Sequence, residues 1–305
     1  MDASWLGDRW PDQVFLFSYF LSPNLSSHRT DARMRRSLGI LFGMVTHLLF
    51  AFTVWHLVWF LKGPAIVADS ADATAGAIVV SRGGPVSLVA GLIIDTLLAG
   101  VFAVPHSVLL LPAVRSRLVK AGIGGPFYGC FFCVVTCLTL LATIFCWQPL
   151  AAVVWRWPAP FDTCIAWAFV ASWGALLYSL YLTGLGWQTG FTPWWRWVRG
   201  QRPPARPFVA QGVYRFLRHP VYLSFLGLVW FVPVVTMDRA CLIAVWTGYI
   251  YVGSVLKDRR LLFYLGDEYR KYQAQVPGYP GIPIGPLSRI PLAGEVPLAN
   301  ALTTS

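Results

Sequence analysis

Residues 127–147 read FYGCFFCVVTCLTLLATIFCW, with no Asp, Glu, Lys or Arg among them. As a helix rising about 1.5 Å per residue, the stretch is about 32 Å long, which matches the hydrocarbon core of a bilayer. It has no charged face to turn toward water. Lipid is its natural solvent.

Five further segments lack Lys, Arg and Glu: 37–61, 86–112, 163–185, 221–237 and 240–256. The last two have 17 residues each and are separated by Asp238-Arg239, so they predict a short helical hairpin that barely spans. The expected fold is therefore an all-α polytopic membrane protein of about six transmembrane helices, the last two forming that hairpin. Composition agrees. The 305 residues are 56% hydrophobic and 12% charged, whereas a soluble domain carries about 25% charged residues. Disorder and a disulfide scaffold are excluded by the same figures.

The net charge of +11 comes from 24 Lys and Arg against 13 Asp and Glu. No basic nucleic-acid-binding module is visible, so the partner for this charge is the lipid bilayer and not nucleic acid. The N-terminus, the 113–126 loop, the 186–220 loop and the chain from 257 onward hold 20 of the basic residues, and the alternating loops hold 4. That asymmetry predicts both termini in the cytoplasm.

Four regions follow. Residues 1–36 form an N-terminal cytoplasmic and interfacial segment, with an apolar run from Val14 to Phe20 too short for a cleavable signal. Residues 37–185 form a four-helix transmembrane region, and 186–280 a loop, helical hairpin and cytoplasmic helix. Residues 281–305, with four prolines, are expected to be loose. Cys130-x-x-Cys133 lies inside a span, where cysteines are read as small buried hydrophobes, so no metal site is expected.

Polar residues within spans are candidates for function. Asp95 and His106 are eleven positions apart, within roughly 20° of one helical face. His47 and His56 fall on opposite faces. The loop after 186 interleaves Trp187, Trp194, Trp195 and Trp197 with Arg196, Arg199, Arg202 and Arg206, in the manner of an interfacial belt. Then come Gln-Gly-Val-Tyr-Arg-Phe-Leu-Arg-His-Pro-Val-Tyr (211–222), the hairpin, Lys-Asp-Arg-Arg-Leu-Leu (257–262) and Leu-Gly-Asp-Glu-Tyr-Arg-Lys-Tyr (265–272). A short hairpin places the clusters at its two ends side by side.

Gly212-x-Tyr214-x-x-x-Arg218-His219-Pro220-x-Tyr222, the apolar hairpin, an acidic residue and Gly266-x-x-Tyr269-x-x-Tyr272 together resemble the isoprenylcysteine carboxyl methyltransferase-like membrane enzymes. The front half is similar to the methanethiol S-methyltransferase branch, through His106-Ser107, Trp147-x-Pro149 and Thr183-Gly184-Leu185 followed by Gln188. Nurim belongs to the same broad group.

The resemblance implies methyl transfer from S-adenosylmethionine, held near the cytoplasmic surface. On that reading Arg218 clasps the cofactor carboxylate. His219 and Tyr222 give hydrogen bonds and an aromatic wall, Pro220 fixes the entry to the span, and Gly212 and Tyr214 complete the binding motif. Asp258 takes the amine or a hydroxyl, and His106 or Asp258 assists deprotonation of the acceptor. The acceptor is expected to be a small thiol such as methanethiol, giving dimethyl sulfide. A prenyl or lipid-like acceptor and a non-catalytic, nurim-like protein are the alternatives. This chain departs from the family in three places. Lys257-Asp258 replaces a Glu-Glu pair, Ser224 stands where Gly is usual, and Ser179 and Tyr181 occupy the places of a His and an Asp.

Overall fold

A computed structural model describes residues 25–63, 86–150, 152–202 and 208–291; the Val14–Phe20 run and Arg206 lie outside these. The chain divides into two units within its first helix, α1 (Leu25–Lys62). The first unit, ending at Phe42, carries exposed Arg33, Arg35 and Arg36 ahead of the apolar run. The second, Gly43–Ser305, holds the rest of α1 and everything that follows.

In order, these elements are α2 (Leu88–Leu109), α3 (Pro112–Lys120), α4 (Gly125–Cys146), β1 (Val153–Arg156), α5 (Phe161–Thr183), α6 (Leu185–Gln188) and α7 (Phe191–Val198). A 3-10 turn at Gly212–Arg215 follows, then α8 (Pro220–Trp230), β2 (Val234–Thr236), α9 (Met237–Leu265) and α10 (Asp267–Gln275). Among the described residues five helices are long and apolar enough to cross a membrane: α1 from Arg33, α2, α4, α5 and α9. The molecule is a multi-pass, all-α membrane protein.

Small polar side chains are buried between the helices while many large apolar ones face outward. Thr46, Thr53, Asp95, Thr143, Ser172 and Ser179 are buried, while Leu48 and Trp167 are each 69% exposed. Lipid removes the hydrophobic drive to bury large side chains, so helices associate through small residues and satisfied hydroxyls. Thr143 Oγ1 donates to Leu98 O at 2.9 Å, tying α4 to α2. Cys130, Cys133 and Cys137 fill the same kind of packing position on α4 and are free thiols. Trp194 of α7 lies against Gly43 so closely that a Cβ there would overlap its ring.

The expected hairpin turn is displaced. The break falls at 231–236, and Asp238 and Arg239 belong to the first turn of α9. Pro233 cannot continue a helix and disfavours it at Val232, and the β-branched run Val234-Val235-Thr236 then pairs antiparallel with β1. The hydrophobic segment that sequence reads as one helix is thus a short helix, a turn and a three-residue strand. Helix α8 packs on α5, and β2 meets β1 just before α5 begins. Residues 220–236 therefore run alongside α5 as eleven helical residues, a turn at 231–233 and the three residues of β2.

The expectation of a loose tail also needs correction. Residues 277–290 fold back: Gly278 N donates to Leu287 O at 2.7 Å and Ile290 N to Gln273 O at 3.1 Å, with Leu287 only 1% exposed. A buried leucine and paired backbone amides offset the entropy of ordering this proline-rich strap, which charge and composition alone did not foretell. Residues 292–305 lie outside the described residues.

Candidate active site

Three pieces of chain converge where α8 begins. Pro220 is the first residue of α8, a position where its missing N–H costs nothing, and His219 caps the helix. The two residues before it are pinned to the strap, Arg218 N donating to Pro277 O at 2.9 Å and His219 N to Gly278 O at 3.3 Å. Gly278 is required there. A Cβ would lie 2.7 Å from Leu287 O and 3.2 Å from the His219 ring. Gly212 has the same kind of duty at the end of α5, since its φ of +55° and its closeness to Leu182 and Tyr178 both exclude a side chain.

Asp258 stands on α9 one turn beyond Ser254, and both face this junction. Its Oδ2 lies 3.3 Å from Arg218 Nη2, and its Oδ1 lies 3.2 Å from His219 Nε2 while accepting a hydrogen bond from the Tyr269 hydroxyl. Gly266, at φ +57°, turns the chain into α10 so that Tyr269 returns over Asp258. Tyr272 donates to Tyr214 O at 2.6 Å, and Tyr279 shares a hydrogen bond with Ser254. Arg218 Nη2 also donates to Pro286 O and Ser288 O at 3.2 and 3.1 Å.

Arg218 and His219 are 1% and 0% exposed, so their polar atoms cannot rely on water. Even so, Arg218 Nε and Nη1 and His219 Nδ1 have no hydrogen-bond partner among the described residues. Orphan buried donors of this kind are rare in folded proteins and mark a place for a ligand. The rings of Tyr222 and Tyr279 flank His219 at 5.7 and 5.6 Å. Burial holds the His219 pKa below its ordinary value, only partly offset by Asp258, so the imidazole is neutral at pH 7. Burial also raises the Tyr279 phenol to about 12, and burial with the nearby Asp258 charge raises Tyr269, so both stay protonated.

The structure thus brings Gly212, Tyr214, Arg218, His219, Pro220, Tyr222 and Asp258 to one end of the bundle. His106 lies apart on α2, stacked on Phe102 at 5.2 Å, with Nδ1 3.4 Å from Thr136 Oγ1. Asp95 accepts from Gln148 N at 2.8 Å and so fixes the end of α4. His47 bonds Gly43 O and packs on Phe191 and Trp194, whereas His56 sits between Phe52 and Phe145. Sequence reasoning passed over Ser254, Tyr279 and the strap. The i, i+4 spacing of Ser254 and Asp258 was the available signal for the first.

Over 249 residues, 81% of this chain and 83% of the relative, the sequence is 28% identical to methanethiol S-methyltransferase 1 of Bradyrhizobium diazoefficiens. It is also 28% identical to the methanethiol S-methyltransferase of Mycobacterium tuberculosis, over 80% of this chain and 96% of that one. Nurim of Xenopus laevis is 26% identical over 56% of this chain and 66% of its own length. No family model and no solved structure matches the chain. The similarity falls in the branch that the motifs indicate.

Proposed function

We propose that this chain is a membrane-embedded methyltransferase that uses S-adenosylmethionine and methylates a small thiol such as methanethiol, giving dimethyl sulfide. The observation that carries the reading is the pair of unpartnered guanidinium nitrogens of Arg218, Nε and Nη1, beside an aromatic-walled, buried junction. The names of the relatives point the same way.

The residues fit the cofactor. A carboxylate suits the free Nε or Nη1 of Arg218, because a hydrogen bond from a guanidinium to a carboxylate is charge-assisted. The Tyr222 and Tyr279 rings suit a sulfonium and an adenine face. His219 Nδ1 is available for one further hydrogen bond, with Gly212, Tyr214 and Pro220 holding the backbone that presents these groups. Bound there, S-adenosylmethionine supplies an electrophilic methyl group. Asp258, already engaged by Arg218, His219 and Tyr269, acts by positioning the first two. His106 lies on the membrane side and is assigned to the acceptor. Methyl transfer is an in-line displacement, so the protein mainly aligns the reactants and keeps water out. The junction faces the cytoplasm, with both termini on that side, as the basic-residue asymmetry requires.

Purified protein in detergent tests this directly. It should bind S-adenosylhomocysteine and, given S-adenosylmethionine and methanethiol, release dimethyl sulfide. Absence of binding overturns the cofactor assignment. Binding with methylation of a prenyl thiol only moves the acceptor to the lipid class, and binding without any product favours a nurim-like, non-catalytic protein.

A further inference from the structure

The α9 face that carries Tyr249, Gly253, Lys257 and Arg260 runs from beside His106 to the Tyr222 and Tyr214 rings of the junction. Tyr249 Oη lies 3.2 Å from Ser107 Oγ, beside His106. At Gly253 an added Cβ would meet the Tyr222 ring at 3.8 Å, so the glycine leaves a gap one methyl wide beside that phenol. The Lys257 ammonium lies 5.4 Å from the Tyr222 ring centroid and 5.9 Å from that of Tyr214. Among the described residues, neither Lys257 nor Arg260 is ion-paired with a carboxylate. The adjacent Asp258 has both oxygens engaged elsewhere. Arg260 is close enough to act electrostatically on His106, Tyr222 and Lys257.

We infer that Lys257 receives the methyl acceptor as an anion, its ammonium pairing with a thiolate sulfur beside the Tyr222 ring. The inference rests on the methyltransferase reading and names the acceptor class within it. A half-buried cation among rings, with no carboxylate ion-paired to it, leaves this side of the site with uncompensated positive charge. A sulfonium bound nearby deepens that deficit. Thiols are weak acids, about 8.5 for a free cysteine, and the thiolate is the nucleophile. An adjacent ammonium favours the ionised form. On binding, the S–H bond breaks, the proton leaves by way of His106 to bulk water and the electron pair stays on sulfur, where Lys257 balances its charge. Neutral acceptors that cannot ionise, such as lipid alcohols, gain nothing from this arrangement. It also accounts for a lysine standing where the resembled family carries a Glu. The groups facing Lys257 are Tyr214 from the 3-10 turn, Tyr222 from α8, His219 before it, and Asp258 and Arg260 on its own helix.

Lys257→Met and Lys257→Arg test the assignment, with S-adenosylhomocysteine affinity as the check on folding. With that product bound, adding ethanethiol to wild type in weakly buffered solution at neutral pH should release a proton. Lys257→Met should release none. In turnover, kcat/KM of Lys257→Met at neutral pH should fall about tenfold for each unit of thiol ionisation lost, with the deficit narrowing as pH rises. Lys257→Arg, which keeps the charge, should recover much of the rate. Lys257→Gln carries the same readouts if the Met variant loses S-adenosylhomocysteine binding. Proton release unchanged from wild type, or a loss of rate that is equal at every pH, overturns the inference. A wild type that methylates no thiol defeats the methyltransferase reading, whereas active wild type with indifferent Lys257 variants defeats this inference alone.

Discussion

His219 Nε2 lies 3.2 Å from Asp258 Oδ1, joining the residue that opens α8 to the C-terminal part of α9. The same carboxylate holds Arg218, and the strap after α10 closes over both through main-chain bonds. One buried acidic side chain therefore organises three segments and leaves Nε and Nη1 of Arg218 as spare donors.

Arg218→Lys keeps a cation but loses the fork. S-adenosylhomocysteine binding, measured by calorimetry on detergent-solubilised protein, should weaken by about 1.5–3 kcal/mol, the worth of a hydrogen bond to a charged group. Unchanged affinity in a folded variant would remove Arg218 from the cofactor site.

His219 is held neutral by burial, so its folded pKa lies below the ordinary value of 6.5. Below that pH the unfolded chain takes up a proton that the folded chain refuses. Its contribution to stability is thus complete above about 6.5 and is lost as pH falls. Melting curves of wild type and His219→Asn should converge as the solution is made acidic. A gap that widens toward acid would reverse the sign and reject a neutral His219.

The strap needs a glycine where it passes His219. Gly278→Ala introduces a Cβ against Leu287 O and should cost about 1–3 kcal/mol as overpacking, seen as a lowered melting temperature. Binding of S-adenosylhomocysteine should fall with it, because Arg218 and His219 hang from the same backbone bonds. A variant as stable as wild type would mean that the strap can shift freely.

His106→Ala should retain S-adenosylhomocysteine affinity, since His106 lies away from the Arg218 junction, yet lose methanethiol methylation by about 10²-fold or more. Full activity would confine His106 to packing against Phe102 and Phe132.

Topology reporters inserted after Gly122 and after Trp157 should report cytoplasmic and external locations respectively, because the 113–126 loop is basic-rich and the 148–162 loop carries one basic residue. The opposite pair of signals would invert the orientation and place the Arg218 junction outside.

Much of this molecule was legible in sequence because hydrocarbon is a severe solvent. Runs of about twenty uncharged residues have few alternatives to a membrane helix, so α1, α2, α4 and α5 follow from composition and length. The cluster of Arg218, His219 and Asp258 was legible for a different reason. Its residues sit within short fixed spacings at the two ends of one hairpin, and the hairpin itself returns them to each other. What hydropathy could not register was the break after Trp230, because an apolar strand and an apolar helix look alike to it and the deciding factor is the pairing of β2 with β1.

By itself, then, the sequence determined the membrane class, the likeness to a methyltransferase branch and the gathering of Arg218, His219 and Asp258. Tertiary structure alone decided three matters. It folded a proline-rich strap over Arg218, it engaged both oxygens of Asp258, and it set Lys257 between two phenol rings with no ion-paired carboxylate. The physical reason is common to all three. Local propensity and hydropathy act over a turn or a span, whereas the partner of a buried charge is chosen by whichever distant segment arrives beside it, and only the packed chain makes that choice.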